Sequence, residues 1–191
     1  MSVRRAQDEK GVIYYCSLTC YKWINLFHLT DFYDHIYNWF NILDEKGIKT
    51  TGYVIMPNHL HCMLYLPPSS QSINKIIGNA KRFMAYEIVA RLKAGQNWEL
   101  LKVLEDGVQP GDRKKGKLHE VLEPSFDAKQ CFNEAFIKQK LSYIHHNPVN
   151  GKWQLVRDFT EYPHSSAAFY ELGKPALIKL THYLDVWRDE A

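Results

Sequence analysis

Lys49-Thr-Thr-Gly-Tyr-Val-Ile-Met-Pro-Asn-His-Leu-His-Cys-Met-Leu-Tyr-Leu66 holds two extended apolar runs, 49–56 and 59–66, with Pro57-Asn58 between them. Proline cannot donate to a strand ladder and asparagine accepts turn geometry, so the pair predicts two strands joined as a hairpin. Pro67-Pro68 closes the second strand. On the N-terminal side, Val12-Ile-Tyr-Tyr-Cys-Ser-Leu-Thr-Cys20 is β-branched and aromatic with rough alternation, which predicts another strand. Between them, Tyr33, Ile36, Tyr37, Phe40 and Leu43 recur at helical spacing, with Thr30 as candidate N-cap and Gly47 as stop, so a helix is expected over 31–46. Beyond the hairpin, Ser72 caps a helix expected over 73–93, with Ile73, Ile76, Ile77, Ala80, Met84 and Ile88 facing inward. Its opposite face carries Lys75, Asn79 and Arg82.

The Gly-, Asp- and Lys-rich stretch 94–117 reads as a long loop feeding a short strand near 117–123. A third helix, capped by Asp127 or Asn133, runs to about 146, where Asn147-Pro148 ends it because proline disfavours helix in its predecessor. Residues 162–166 read as a turn, with room for a short helix after it. The order β-α-β-β-α-β, followed by an extra helix, predicts an α+β protein of ferredoxin-like split βαβ type. It has one antiparallel sheet with helices on one face, plus a C-terminal helical tail. A single domain over 1–191 is expected, with its core in 10–150 and its tail in 151–191.

Composition narrows the classes. At 191 residues the chain is short of the roughly 250 that a (β/α)8 barrel needs. Its 46% hydrophobic content supports a core and excludes wholesale disorder. A net charge of +3 permits a nucleic-acid partner without requiring one, so the clustering of cations decides. No stretch approaches a membrane span, and the charged N-terminus has no apolar segment behind it. Cys16, Cys20, Cys62 and Cys131 lack CxxC spacing and lie in apolar runs, as buried reduced thiols do, so a cytoplasmic protein without a cysteine zinc site is expected.

The chemistry centres on His59-Leu60-His61. Side chains alternate along a strand, so both imidazoles share one face, with Cβ atoms about 7 Å apart, and can converge on one metal ion. Two hydrogen-bonded histidines would leave the same pattern, and a third ligand decides between the two. Tyr143 and Asn147 are four residues apart on one face of the third helix, extended by Lys140, Gln139 and Phe136, while Ile137, Leu141 and Ile144 form the core stripe. A tyrosine there serves equally well as a packing residue. His145 and His146, beside them, read as solvated or as supporting the ligands from behind.

Tyr53-Val-Ile-Met-Pro-Asn-His-Leu-His-Cys-Met-Leu64, Tyr143-Ile-His-His-Asn-Pro-Val149 and Tyr162-Pro-His-Ser-Ser-Ala167 together resemble the marker segments of the REP-associated tyrosine transposases, single-tyrosine transposases with a His-hydrophobic-His motif. The resemblance spans roughly 10–170 in the family's order. It implies a metal held by His59, His61 and Asn147, and nucleophilic attack by Tyr143 on single-stranded or hairpin DNA. The product would be a 5′-phosphotyrosine and a free 3′-hydroxyl. Two imidazoles and an amide oxygen leave open positions for phosphate and water, which suits Mg²⁺ or Mn²⁺. Lys75, Lys81, Arg82, Arg113, Lys114, Lys115, Lys140, Tyr162, Ser165 and Ser166 are then the candidate DNA contacts. The chain departs from the family pattern at Val121-Leu122-Glu123, Asn150 and Tyr162, in regions that read DNA. No membrane partner is implied, and the oligomeric state is left open with a monomer favoured.

Two other classes fit parts of the pattern. A non-catalytic nucleic-acid module on the same topology needs paired aromatics on the central strands. A small zinc hydrolase needs a third strong ligand such as His119 beside the two histidines.

Overall fold

A computed structural model describes residues 9–187, so the charged N-terminal stretch 1–8 and residues 188–191 lie outside the described residues. The elements run β1 (Val12–Thr19), α1 (Leu26–Leu29), α2 (Tyr33–Glu45), β2 (Lys49–Met56), β3 (His59–Leu66), α3 (Ile73–Ala94), α4 (Trp98–Asp106), α5 (Pro110–Arg113), β4 (Asp127–Cys131), α6 (Glu134–His146), α7 (Ala167–Leu172) and α8 (Tyr183–Val186). The four strands form one sheet in the order β2-β3-β1-β4. Every neighbouring pair is antiparallel, with Ser17 opposite His61 and Thr19 opposite His59. This is the expected split βαβ arrangement of an α+β fold.

Alternation along the strands divides the core in two. Tyr14, Cys16 and Leu18 of β1, Tyr53 and Ile55 of β2, and Leu60, Cys62 and Leu64 of β3 pack with α2 and α3 on one face. Ile13, Tyr15, Val54, Met56 and Met63 point to the other face, where Ile137, Leu141 and Ile144 of α6 cover them. The two crossover helices therefore share a face, and α6 takes the opposite one. An apolar sheet face left open to water would forfeit its burial energy, about 25 cal/mol per Å². Gly52 permits the close approach of α6. The β2–β3 register shifts between Thr50 and Gly52, and a Cβ at Gly52 would lie 2.6 Å from Leu141 Cδ2.

Four expectations are corrected. The short strand is β4, not 117–123, whose backbone makes one isolated bridge from Leu122 to Cys20. Val121 and Leu122 are buried singly in the α2–α3 core, whereas polar Asp127–Cys131 forms the ladder at a sheet edge, where composition says little. The stretch 94–117 contains α4, capped by Asn97 and anchored by buried Leu101 and Leu104, so its short apolar stripe was hidden among charges. Thr30 closes α1 instead of capping α2, its hydroxyl donating to Leu26 O, and Asp31 then turns the chain with φ 46°. The 162–166 segment is more than a turn. Ile55 N donates to His164 O and Ser166 N to Tyr53 O, which covers the open edge of β2.

The third helix starts at Asn133, whose side chain accepts from Phe136 N at 2.8 Å. Cys16, Cys20, Cys62 and Cys131 are all buried free thiols. Among the described residues, no helix is long and apolar enough to cross a membrane.

Candidate active site

The parity of β3 turns His59 and His61 toward α6, at a level of the sheet that the core stripe of that helix does not fill. Both are buried, at 3% and 6% exposure, with ring centroids 4.8 Å apart. Asn58 fixes the first ring. Its Oδ1 lies 2.7 Å from His59 Nδ1, and an amide oxygen can only accept, so Nδ1 carries the proton. Burial pushes the His59 imidazole down to about 4, so the ring is neutral and Nε2 presents a lone pair. That lone pair faces Asn147 Oδ1 at 3.2 Å. A cation between them would be held by both, and without one the Asn147 amide can turn its Nδ2 toward the ring and donate to it.

His61 is pushed to about 3 by burial, then by His59 and Lys140. Its Nδ1 is 2.9 Å from Tyr15 Oη. Burial, and next to it the nearby Tyr143, hold the Tyr15 phenol well above its ordinary range, so it stays protonated and can only be a neutral hydrogen-bond partner. The donor set of two neutral imidazoles and one amide oxygen fits a divalent ion with open positions. Among the described residues, no group of three His, Cys, Asp or Glu gathers at one point, so the amide is essential to this set.

Tyr143 completes the cluster. Its ring stands edge-to-face 5.3 Å from His61 and 6.3 Å from Tyr15, and it is 51% exposed because the inward stripe of α6 is filled without it. Lys140, one turn earlier, places Nζ 4.8 Å from the Tyr15 ring and 5.7 Å from that of Tyr143. The α-helix gives way one turn after Tyr143 to a 3₁₀ turn, Asn147–Val149, in which Asn147 keeps helical dihedrals and Pro148 has no N–H to continue the ladder, and the Asn147 amide lies 3.2 Å from His59 Nε2. The structure thus brings together Tyr143, His59, His61, Asn147 and Lys140.

The other candidate residues lie elsewhere. Tyr162, Ser165 and Ser166 are buried, which corrects their reading as DNA contacts. Tyr162 Oη donates to Ile55 O, Ser165 Oγ accepts from Ala167 N, and Ser166 Oγ accepts from Tyr53 N. His145 is likewise not solvated. Its Nε2 lies 2.8 Å from Ser166 Oγ, and burial holds its imidazole at about 4. His146 Nδ1 binds Ser142 O and its ring packs on Phe159.

Lys75, Lys81 and Arg82 belong to α3, on the opposite face of the sheet. Lys81 donates to Pro124 O at 2.9 Å, Arg82 stacks on Phe83, and Arg113 donates to Glu105 O. Lys114 is exposed, and Lys115 pairs with Asp112 at 3.4 Å. A groove of about 680 Å³ runs between α3 and 115–124, lined by Lys81, Arg82, Tyr86, Lys93, Lys115 and His119 among others. His119 sits there, its charge neighbours being Lys93 and Glu105, so the zinc-hydrolase reading loses its third ligand.

Sequence reasoning missed Tyr15 and Asn58 as supports of the two imidazoles. Asn58 was visible as the residue before His59. Tyr15 is brought in only by the β1–β3 register.

No protein-family model and no curated protein matches the sequence. Among solved structures, the chain is similar to a REP-associated tyrosine transposase bound to a REP hairpin. That match covers 100% of both chains at 16% identity with a TM-score of 0.57. A protein from Deinococcus radiodurans R1, provisionally assigned as a transposase, aligns with 76% of this chain and 97% of its own at 20% identity and a TM-score of 0.38, a level on which nothing further rests. The first likeness shows a shared fold.

Proposed function

We propose that this protein is a metal-dependent, single-tyrosine transposase-class enzyme that cuts and joins single-stranded DNA in the cytoplasm. Tyr143 is the nucleophile, and His59, His61 and Asn147 hold Mg²⁺ or Mn²⁺. The observation that carries this reading is the convergence of His59, His61 and the Asn147 amide, with His59 Nε2 and Asn147 Oδ1 3.2 Å apart, beside a half-exposed tyrosine. The fold shared with a transposase bound to a REP hairpin supports a DNA substrate with a hairpin.

When bound, the ion supplies Lewis-acid neutralisation of the phosphate oxygens and orients the group. The chain supplies the rest. Asn58 and Tyr15 hold the imidazoles in place, and burial keeps both rings neutral, as ligation requires. Tyr143 Oη attacks phosphorus and the P–O3′ bond breaks. The electron pair leaves on the 3′ oxygen, which takes up a proton as the phenol gives one up. The products are a 5′-phosphotyrosine and a free 3′-hydroxyl, so the bond energy is kept for rejoining. Lys140 offers its ammonium to the phosphate from the same helical face. Lys75, Lys81, Arg82, Arg113, Lys114 and Lys115 are proposed contacts for the DNA backbone on the α3 side.

The test is incubation with end-labelled single-stranded hairpin DNA and Mn²⁺, followed by denaturing electrophoresis and peptide mass spectrometry. A covalent species at Tyr143, absent from Tyr143→Phe, is expected. An adduct on another tyrosine, or one undiminished in the variant, overturns the assignment.

A further inference from the structure

The loop after β1 holds a tryptophan in an unusual place. Trp23 is 55% exposed, while its neighbours in sequence Leu26 and Phe27 are fully buried. Its ring stands 5.5 Å from that of His59 at an interplanar angle of 74°. Lys22 and Trp23 both have positive φ, 50° and 59°, a conformation that residues with a Cβ rarely adopt once, let alone twice in succession.

Several bonds hold the loop in that form. Lys22 N donates to Glu123 Oε1 at 2.8 Å, Tyr21 N to Val121 O, and Trp23 N to Cys20 O. Asn58, fully buried, gives its Nδ2 to Trp23 O at 2.8 Å while its Oδ1 accepts from His59. One amide therefore sets both the His59 tautomer and the position of the indole. A tryptophan normally repays its place by burying its large ring. Here the backbone is constrained to hold the ring out beside the site. Backbone strain that the surroundings enforce and packing does not repay points to a ligand. The second indole near His59, Trp153 at 6.4 Å, differs in being half-buried in the α6-face core.

We infer that Trp23 is a stacking platform for an unpaired nucleobase of the DNA strand whose phosphate occupies the His59–His61–Asn147 site. This rests on the cleavage reading above for the identity of the strand. The chemistry is that of single-strand recognition. An open indole offers a π surface to any base. The nearby cations are Lys22, next to Trp23 in sequence, and Lys152, whose Nζ lies 5.4 Å from the ring of Trp153, the second indole near His59. Stacking needs the flat base, so it discriminates single strands from duplexes, whose bases are already stacked, and is tolerant of sequence.

The experiment compares two fluorescently labelled strands of equal length and charge, oligo-dT and a tetrahydrofuran abasic strand, binding to the full chain in Mn²⁺. Wild type is expected to favour oligo-dT. Trp23→Ala weakens oligo-dT by about tenfold or more and leaves the abasic strand unchanged, so the ratio between them narrows. Trp23→Tyr restores most of the ratio, and Mn²⁺ affinity by titration calorimetry is the same in all three proteins. An unchanged ratio in Trp23→Ala overturns the inference. So does equal weakening of both strands, or loss of Mn²⁺ binding, because either makes the ring a structural prop for His59. If the alanine variant does not fold, Trp23→Leu, apolar but without a π face, carries the same comparison. Adduct formation at Tyr143 is scored separately. Its absence with an intact stacking ratio removes the cleavage reading alone, and its presence with a ratio indifferent to Trp23 removes the stacking inference alone.

Discussion

On β3, Leu60, Cys62 and Leu64 point to α2 and α3, whereas His59, His61 and Met63 point to α6. The strand is the same and the residues alternate, yet the two faces are built differently. The α2–α3 face is a continuous apolar layer reaching from Tyr14 to Leu92. The α6 face is apolar only from Ile13 to Met63, and then gives way to imidazole, phenol and amide groups. Imidazoles gain little from packing, and burying them neutral lowers their basicity to about 4 and about 3. The comparison teaches that one face supplies the stability against which the other carries polar groups that are costly to bury.

The sharpest way to break this division is Tyr143→Phe, which removes one oxygen and almost no volume. Cleavage and the covalent adduct should fall by at least about a thousandfold, the scale of losing an activated nucleophile. Melting should stay within a few degrees of wild type. A large drop in melting temperature would place Tyr143 in the core after all.

On the opposite face, Leu60→Ala should cost about 2–5 kcal/mol in urea unfolding, as expected for a leucine truncated within a closed core. His61→Ala, its neighbour on the other face, should cost much less stability and abolish Mn²⁺ binding by calorimetry. Equal destabilisation by the two would mean that His61 is a packing residue.

A smaller effect concerns pH. His145 is buried and held at about 4, below the value near 6.5 of an unfolded chain, so between these the unfolded state binds the extra proton. Stability should fall as pH drops below about 6.5, flattening near 4, with about 2 kcal/mol lost by pH 5 on account of His145. His59 and His61 add in the same direction. Replacing His145 by Gln should make the stability profile between pH 7 and 5 less steep, the slope that remains belonging to His59 and His61, and an unchanged slope would show that His145 is not buried as described.

An effect of similar size is expected from Gly52→Ala. Its Cβ would meet Leu141 Cδ2 at 2.6 Å and Ile144 Cδ1 at 3.3 Å, ends of side chains that can partly yield. A cost of about 1–3 kcal/mol is expected, with adduct formation slowed as α6 shifts. An unaffected rate would show that the spacing of α6 from β2 does not set the approach of Tyr143 to His61.

Much of this was legible in local pattern. The turn at Pro57-Asn58, the 3.6-residue stripes of α2, α3 and α6, and the stop at Pro148 follow from steric rules that act over a few residues. The alternation at 59–61 and the i, i+4 pair 143–147 likewise put each half of the site on one face of its own element. Edge strand β4 and helix α4 were not legible, because a polar edge strand and a nine-residue helix among charges have no strong period. The burial of Tyr162, Ser165 and Ser166 was hidden too, since it arises from pairing with a strand more than a hundred residues earlier.

By itself, then, the sequence determined the elements with a strong local period, the split βαβ order and the residue types capable of chemistry, since those depend on neighbours along the chain. Only the tertiary structure decided that α6 lies on the histidine face, that Asn147 meets His59, that Asn58 serves both His59 and Trp23, and that the α3 cations lie across the sheet. Those facts depend on which apolar stripe covers which sheet face, and that choice is made by long-range burial.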